Sequence, residues 1–303
     1  MYGLSPQLRA EYESPAQIEA VSSVATEIVG AETTLTIHAT QGLTTEVFDC
    51  ETEERGYIAR RGDNEPAFCK DRLAGEMLAG TLPVPRVVGI TALKDASLVC
   101  VSERGSETTA DETELYTPNT RLNTSLMHTM RVMHGVVAPQ SGPVPKKFSA
   151  IKRHMATAAY DKVDADAPRA IDAQTLNEVA AVQRRLSTFT MSRLQRLCHN
   201  DIKGPNLLAE DQEITGVIDW AMAEFGDPAS DLGALYVAHP DALDYNQYKA
   251  DATIAHQLHQ RVLFYAMATC VGSIRFYSNL ENHDEVTAAE KRLISLANEA
   301  ESV

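Results

Sequence analysis

The sequence predicts an α+β fold in which most strands precede most helices. Short apolar segments bounded by turn residues dominate the first hundred residues, whereas later segments repeat apolar residues with the period of a helix. The chain has 303 residues, of which 44% are hydrophobic, and it can therefore bury a large core. A disordered chain and a miniature scaffold are both excluded.

The first predicted element is a helix that begins after Ser14. Ser14 suits the N-cap, Pro15 suits the first turn, and Gln17 completes a capping box. Gly30 predicts the end of this helix. Between these signals lies an apolar stripe at helical spacing, formed by Ile18, Val21, Ala25 and Ile28.

Three strands are predicted next, at Leu35–His38, Glu46–Asp49 and Tyr57–Arg60. The loop between the first two is rich in glycine and threonine, whose backbone N–H groups and hydroxyls can bind phosphate. Its candidate nucleotide ligands are Gly42, Thr44 and Thr45. An ordinary hairpin turn explains this local sequence equally well.

The most informative segment runs from His199 to Asn206 and reads HNDIKGPN. It matches the H-x-D-x-x-x-x-N pattern of a kinase catalytic loop, where the Asp accepts a hydroxyl proton and the Asn reaches Mg²⁺. Asp219 follows a short apolar run and is the second candidate metal ligand. Short buried strands before Asp201 and before Asp219 would aim both acids at one point. The sequence therefore predicts phosphoryl transfer from a nucleotide.

A structural explanation of this segment is the alternative. Asp201 and Asn206 could form Asx turns around Gly204, and Asp219 could cap a strand end. Average residue usage predicts the three-residue pattern by chance in about one chain of this length in a hundred. The strand–Asp–Trp segment that follows lowers that chance, so we favour the catalytic interpretation.

These motifs resemble those of the aminoglycoside phosphotransferases. His199–Asn206 resembles the catalytic loop of the family, and Ile218–Trp220 with Phe225–Pro228 resembles its metal-binding segment. The resemblance runs from about Thr36 to Tyr236. It implies a bilobal protein-kinase-like fold. Residues 1–103 would form an N-terminal antiparallel sheet lobe that binds the nucleotide. Residues 104–303 would form a larger, mainly helical C-terminal lobe for catalysis and acceptor binding.

The resemblance also implies an activity. We expect an ATP-dependent O-phosphotransferase that modifies a hydroxyl of an aminoglycoside or aminocyclitol antibiotic of the hygromycin kind and so gives resistance. ATP and Mg²⁺ are the implied cofactors, with GTP as an open alternative to ATP. Asp201 is the implied catalytic base, and Asn206 and Asp219 are the implied metal ligands.

Other nucleotide-binding residues follow from the kinase-like arrangement. The third strand of such a lobe carries a cation for the phosphates, and the next helix carries a Glu that holds it. By resemblance we expect Arg60, rather than Arg61, to be that cation and Glu76 to be its partner, with a solvated surface carboxylate as the alternative for Glu76. Guanidinium suits the task because it binds phosphate bidentately. Lys203 is a candidate contact of the γ-phosphate.

An apolar strand at Leu98–Ser102 leads to the point where kinase-like folds join their lobes. Ser102 and Arg104 are therefore candidate main-chain contacts of the adenine. Further along, His134 is predicted to be a hydrogen-bonded structural residue. We also expect Asp227 to stabilise its segment and Asp231 to cap the next helix.

The charge of the chain bears on its partners. It has 27 basic and 42 acidic residues, a net charge of −15, which argues against nucleic-acid binding. An acidic cleft would attract a cationic amino sugar, although acidic residues that only maintain solubility explain the charge equally well. We expect a small-molecule partner, no membrane, and a monomer or homodimer. The candidate acceptor ligands, each with a solvated alternative, are Asp161, Asp164, Asp166, Asp241, Asp244 and Glu281.

The cysteines and the N-terminus bear on location. Five cysteines without a C-x-x-C pair indicate neither a disulfide framework nor a zinc knuckle. The first residues lack a basic region followed by an apolar core. The sequence thus predicts a cytoplasmic protein.

Two other functions stay open from the sequence. A kinase of an ordinary hydroxylated metabolite would share the fold and the motifs. A catalytically idle pseudokinase would act as a binding module, but the complete His199, Asp201, Asn206 and Asp219 set argues against it.

Overall fold

A computed structural model describes residues 14–39, 45–106, 108–138, 171, 173–189 and 195–302. The chain divides into two compact units. The sheet unit comprises Met1–Thr109, Leu207–Glu210 and Thr215–Ala221, and the helical unit comprises Ala110–Asn206, Asp211–Ile214 and Met222–Val303. The predicted lobe boundary after residue 103 stays a prediction.

Nine strands occur in the described residues. They are β1 (Thr34–Ile37), β2 (Glu46–Glu51), β3 (Gly56–Gly62), β4 (Val87–Ala92), β5 (Leu98–Glu103), β6 (Arg196–Cys198), β7 (Leu207–Glu210), β8 (Glu213–Val217) and β9 (Glu224–Gly226). The first five form one sheet in the order β1-β2-β3-β5-β4, and every neighbouring pair is antiparallel. The other four form two-stranded sheets, β6 with β9 and β7 with β8.

Nine α-helices occur in the same ranges. They are α1 (Pro15–Val29), α2 (Glu65–Leu78), α3 (Glu112–Tyr116), α4 (Arg121–Gly135), α5 (Ala173–Ser187), α6 (Ala229–Ala238), α7 (Ala252–Ala255), α8 (Leu258–Asn279) and α9 (His283–Glu301). None of these helices combines the length and the apolar composition needed to cross a bilayer.

The predicted caps of α1, Ser14 and Gly30, are confirmed, whereas the predicted capping box is wrong, because Gln17 Oε1 accepts no hydrogen bond from Ser14. The Ser14 hydroxyl accepts the Gln17 N–H at 3.3 Å, and Gly30 ends the helix in the left-handed region with φ 77°. Such a φ favours glycine, because a side chain would crowd the following carbonyl. The buried face of α1 packs on one face of the five-stranded sheet. This core contains Val21, Ala25, Phe48, Cys50, Ala59, Val99 and Val101.

The opposite face of the sheet packs against α2. Phe68 of this helix forms a second buried cluster with Val87 and Cys100. Successive side chains of a strand point to opposite faces. Because Ala59 faces α1, the next residue of β3, Arg60, faces the side of α2.

The helical unit contains a fully buried ion pair at the start of α6. Arg261 of α8 donates two hydrogen bonds to the Asp227 carboxylate, at 2.7 and 3.0 Å. The same carboxylate accepts the Ala229 N–H at 3.0 Å, at the first residue of α6. The structural role predicted for Asp227 is confirmed.

Candidate active site

The loop that carries Asp201 follows β6, whose Leu197 and Cys198 are completely buried. The Asp201 carboxylate receives an ion pair from Lys203 at 2.9 Å and a hydrogen bond from the Asn206 side-chain amide at 2.8 Å. Two neighbours within the loop therefore fix the orientation of the carboxylate. A general base must be correctly oriented toward the hydroxyl, because proton transfer requires suitable geometry as well as a suitable pKa.

Asn206 is oriented by the same contacts. Its Nδ2 donates both to the Asp201 main-chain carbonyl and to the Asp201 carboxylate, each at 2.8 Å. The amide oxygen of Asn206 is consequently the atom that it can offer to a cation. Mg²⁺ prefers oxygen ligands, so the chemistry of this side chain fits the predicted metal role.

The main chain before Asp201 is held by Asp231. The His199 N–H donates to Asp231 Oδ2 at 3.0 Å, and the Asn200 N–H donates to Oδ1 at 2.5 Å. Asp231 lies inside the first turn of α6, which has no side-chain cap. The prediction that Asp231 caps this helix is wrong, because its carboxylate binds the loop that carries Asp201 instead.

Gly204, later in the loop, is tightly enclosed. Its N–H donates to the Tyr116 hydroxyl at 3.0 Å. A Cβ atom at this position would lie 2.5 Å from Cγ of Glu112, closer than side chains approach one another. A side chain at this position would therefore require the Glu112 side chain to move.

In the sheet unit, the candidate phosphate cation Arg60 is fixed on three sides. Its Nη2 donates to Asp71 Oδ2 at 2.7 Å and to the Cys100 sulfur at 3.7 Å. The guanidinium also lies 5.4 Å from the centre of the Phe68 ring. Burial opposes the charge of Arg60, but the Asp71 carboxylate outweighs it and raises the Arg60 pKa. The cation is thus preorganised in its charged form.

The partner predicted for Arg60 is wrong. Glu76 is exposed, whereas Asp71, on the same helix α2, is 6% exposed and pairs with Arg60. Arg61, the next residue of β3, faces the opposite side of the sheet from Arg60, where its guanidinium is bound to Glu46 at 2.9 Å and to Asp95 at 2.7 Å.

Asp219 follows β8 and adopts a left-handed main-chain conformation, with φ 63°. Its side chain is exposed. The next two residues are bound by α2: the Trp220 N–H donates to Asp71 Oδ1 at 2.9 Å, and Lys70 donates to the Ala221 carbonyl at 2.9 Å. The position of the Asp219 carboxylate thus depends on α2, and its oxygen atoms suit Mg²⁺.

The segment after β5 differs from its prediction. The Arg104 N–H donates to the Gly56 carbonyl at 3.3 Å, so this main-chain donor is already used. The Arg104 side chain instead forms ion pairs with Asp49 and Glu51 on β2. Ser102 is buried within the sheet, in register with Ile58 and Val87. The main-chain contacts of Ser102 and Arg104 with adenine stay predictions, although the Arg104 N–H is already used within the protein.

A cavity of about 780 Å³ adjoins this segment within the sheet unit. The end of β2, the turn into β3 and residues 103–106 line it. Glu210 of β7 also lines it. The walls are polar, because they carry the acidic side chains of Glu51, Glu103 and Glu210 and the basic side chains of Arg55 and Arg104.

Several predicted ligands lie outside the described residues. Among the phosphate-loop candidates, Gly42 and Thr44 do so, while Thr45 lies just before β2. Asp161, Asp164 and Asp166 also lie outside them. Asp244 is described and accepts the Asn246 N–H at 2.9 Å, which gives it a capping role.

The sequence is similar to those of known phosphotransferases. The profile of the phosphotransferase enzyme family (APH) matches residues 39–265. A curated relative, hygromycin-B 4-O-kinase of Escherichia coli, is 25% identical over 213 residues, which cover 66% of this chain and 61% of the relative. The match therefore spans about three fifths of that relative.

Solved structures share the fold. One is a crystal structure of a thermostable mutant of aminoglycoside phosphotransferase APH(4)-Ia in ternary complex with AMP-PNP and hygromycin B. It matches with a TM-score of 0.72 and 20% identity. The match covers 92% of this chain and 98% of that chain. A GDP complex of an aminoglycoside 2'-phosphotransferase-IIIa mutant has a TM-score of 0.65 and 14% identity over 95% and 98% of the two chains. The predicted kinase-like fold class, with an N-terminal antiparallel sheet and a larger helical C-terminal part, is confirmed.

Proposed function

Because the chain belongs to the phosphotransferase enzyme family, we propose that it transfers the γ-phosphoryl group of ATP to a hydroxyl of an aminoglycoside or aminocyclitol antibiotic. The observation that carries this proposal is the joint orientation of Asp201 and Asn206. The Asp201 carboxylate is paired with Lys203 and accepts a hydrogen bond from Asn206 Nδ2. Because Nδ2 is used in this way, the amide oxygen of Asn206 is the atom that it can offer to a cation. A proton acceptor and a cation ligand are thereby presented by one short loop.

Asp201 acts as the base in this proposal. Its carboxylate orients the acceptor hydroxyl and takes up the proton as the new O–P bond forms and the bond to the leaving nucleotide breaks. The transition state of phosphoryl transfer is loose, so orientation matters more than the strength of the base. The fixed carboxylate of Asp201 supplies that orientation.

Asn206 and Asp219 are the proposed Mg²⁺ ligands. Bound Mg²⁺ would neutralise charge that develops on the phosphate oxygens. Arg60 holds the α- and β-phosphates, and its pair with Asp71 keeps the guanidinium in one orientation. Lys203 lies beside Asp201 and is the proposed γ-phosphate contact.

The acceptor class rests on the relatives and on charge. The curated relative is a hygromycin-B kinase, and one structural neighbour was crystallised with hygromycin B. A net charge of −15 supports a cationic acceptor, because an acidic surface raises the local concentration of amino sugars. Hygromycin B is therefore the first acceptor to test, and its phosphorylation would give resistance.

ATP is the proposed donor, and the compartment is proposed to be the cytoplasm. The neighbours were crystallised with AMP-PNP, ADP or GDP, so GTP belongs in the same assay. All five cysteines lie in the described residues, are buried and form no disulfide, which suits a reducing compartment.

The decisive experiment is a nucleotide-release assay against a panel of aminocyclitols, aminoglycosides and neutral hydroxylated metabolites, with ATP and GTP as donors. We expect release with a cationic acceptor and a product heavier by one phosphate. The Asp201→Asn variant, run in parallel, should give no product. Turnover of a neutral or anionic metabolite alone would contradict the antibiotic proposal, and the absence of any turnover would contradict the kinase proposal.

A further inference from the structure

The side chain of Arg104 is held by acceptors from β2 and β3 within the sheet unit. Its Nη2 donates to Asp49 Oδ1 at 2.9 Å and to the Tyr57 carbonyl at 3.4 Å, and its Nη1 is paired with Glu51. The N–H bonds of a guanidinium lie in the plane of the group. These contacts therefore use the outer edge of the Arg104 guanidinium and involve neither of its flat faces.

One of the two flat faces lies against Gly56. A Cβ atom added to residue 56 would lie 3.2 Å from both Cζ and Nη1 of Arg104, and no nearer to its other nitrogen atoms. Such a point lies above the plane of the guanidinium rather than beside its edge. Arg104 also lines the cavity of about 780 Å³, so the opposite flat face is the part of the group that this space can receive.

Arg104 lies on the face of the sheet that carries Arg60. Its partner Asp49 alternates along β2 with buried residues of the core under α1, so the Asp49 side chain points away from that core, as Arg60 does. In the register of the sheet Asp49 is opposite Ile58, two positions before Arg60 and about 7 Å from it along β3. A nucleotide that binds Arg60 through its phosphates and extends toward the cavity places its base beside Arg104.

The main chain around Arg104 is fixed on both sides. Its N–H donates to the Gly56 carbonyl at 3.3 Å. The next residue, Gly105, packs closely on β7, since a Cβ atom there would lie 2.5 Å from Cδ1 of Leu208. A side chain that is already ordered loses little conformational entropy when a ligand binds to it. The guanidinium is thus preorganised for a planar partner.

We propose that the Arg104 guanidinium stacks on the base of the donor nucleotide and contributes equally to the binding of ATP and GTP. This inference rests on the proposed function, since these nucleotides are the proposed donors. A guanidinium that offered its edge would favour guanine, whose O6 and N7 accept two hydrogen bonds from Arg. The edge of Arg104 is bound to Asp49 and Glu51 instead, and a flat face stacks on any purine. Arg104 therefore strengthens the binding of purine nucleotides without selecting one of them.

The test measures the dissociation constants of Mg-ATP, Mg-GTP and Mg-tripolyphosphate by calorimetry. Tripolyphosphate carries the phosphates without a base. Arg104→Lys keeps the positive charge but has no flat face, so we expect it to weaken ATP and GTP by the same factor, about 5- to 10-fold, and to leave tripolyphosphate within about twofold. Arg104→Ala should weaken both nucleotides by about 10-fold or more. It also leaves Asp49 and Glu51 without their cation, so the lysine variant separates stacking from charge.

Arg86→Ala is the matched control. Arg86 is a second arginine of the sheet unit, 64% exposed and paired with Glu103 at 2.8 Å. Its replacement should leave all three dissociation constants within about twofold. Melting curves of each variant with and without nucleotide verify that the folded protein is being compared.

The other outcomes overturn the proposal or its premise. Weaker binding of one nucleotide alone in Arg104→Lys would show that Arg104 recognises the base through its edge. An equal loss of tripolyphosphate would show that Arg104 contacts the phosphates. Either result, or unchanged affinity in both Arg104 variants, would overturn the stacking role. A protein that binds both nucleotides through Arg104 but phosphorylates no acceptor would leave this inference intact and contradict the proposed function instead.

Discussion

Asp71 holds the main chain of Trp220, accepting its N–H at 2.9 Å. The other oxygen of the same carboxylate binds Arg60 at 2.7 Å. One buried side chain of α2 therefore connects the proposed phosphate cation to the residue that follows the proposed metal ligand Asp219. Because Asp219 has φ 63°, the hydrogen bond at Trp220 also stabilises an otherwise unfavourable conformation.

We expect Asp71 to affect nucleotide and metal binding in separable ways. Asp71→Asn keeps an acceptor for the Trp220 N–H but removes the charge beside Arg60, so the KM for Mg-ATP should rise by about tenfold. Asp71→Ala removes both contacts and should in addition raise the Mg²⁺ concentration needed for half-maximal rate. Steady-state kinetics over a range of Mg²⁺ and ATP concentrations measure both effects.

Glu76→Gln is the matched control for Asp71, because it changes an exposed carboxylate of the same helix. It should behave as the wild type. If Asp71→Ala were folded and showed unchanged dependence on ATP and Mg²⁺, or if Glu76→Gln showed the loss instead, the assignment of Asp71 would be wrong.

The proposed base is tested by Asp201→Asn. The amide has the shape of the carboxylate but cannot take up the proton, so kcat should fall by about 10²-fold or more. Nucleotide affinity, measured by calorimetry, and the melting temperature should hold nearly constant. Turnover close to that of the wild type would remove Asp201 from the chemistry.

The proposed metal ligand is tested by Asp219→Ala and Asp219→Gly. Both remove the carboxylate and should abolish Mg²⁺-dependent ATP binding in calorimetry. Glycine tolerates the φ of 63° without strain, so Asp219→Gly separates loss of the ligand from loss of the conformation. Unchanged Mg-ATP affinity in the glycine variant would show that the carboxylate is not a ligand.

The proposed catalytic loop could be located from the sequence because its pattern is contiguous. The contacts of the two buried carboxylates could not, since their partners are distant in the chain: Asp71 binds Trp220, 149 residues away, and Asp231 binds His199, 32 residues away. Glu76 and Asp71 differ by five positions on α2, which places them about 140° apart around the helix. The missed signal was a carboxylate within the apolar stripe of α2, which contains Phe68, Asp71, Ala74 and Leu78.

The buried pair of Asp227 and Arg261 should stabilise the helical unit without affecting chemistry. Asp227→Ala leaves a completely buried guanidinium unpaired, which should cost about 3–5 kcal/mol of unfolding free energy. Combining it with Arg261→Met should recover part of that loss, because the unpaired charge is then absent. Glu213→Gln, which breaks the exposed pair with Arg121, should leave the melting temperature unchanged. A melting temperature equal to that of the wild type in Asp227→Ala would contradict this role.

The acceptor class can be tested through ionic strength. If the net charge of −15 reflects an acidic surface that attracts a polycationic amino sugar, added salt should raise the acceptor KM steeply, because screening acts over about 10 Å at 0.1 M salt. The KM of a neutral hydroxyl compound should change little, and the KM of Mg-ATP should respond less steeply than that of the amino sugar. Hygromycin B, assayed from low to high salt beside a neutral sugar, gives the comparison within one experiment. Equal salt dependence for the two acceptors would show that the charge serves solubility alone, and the acceptor would then have to be recognised by shape and hydrogen bonding.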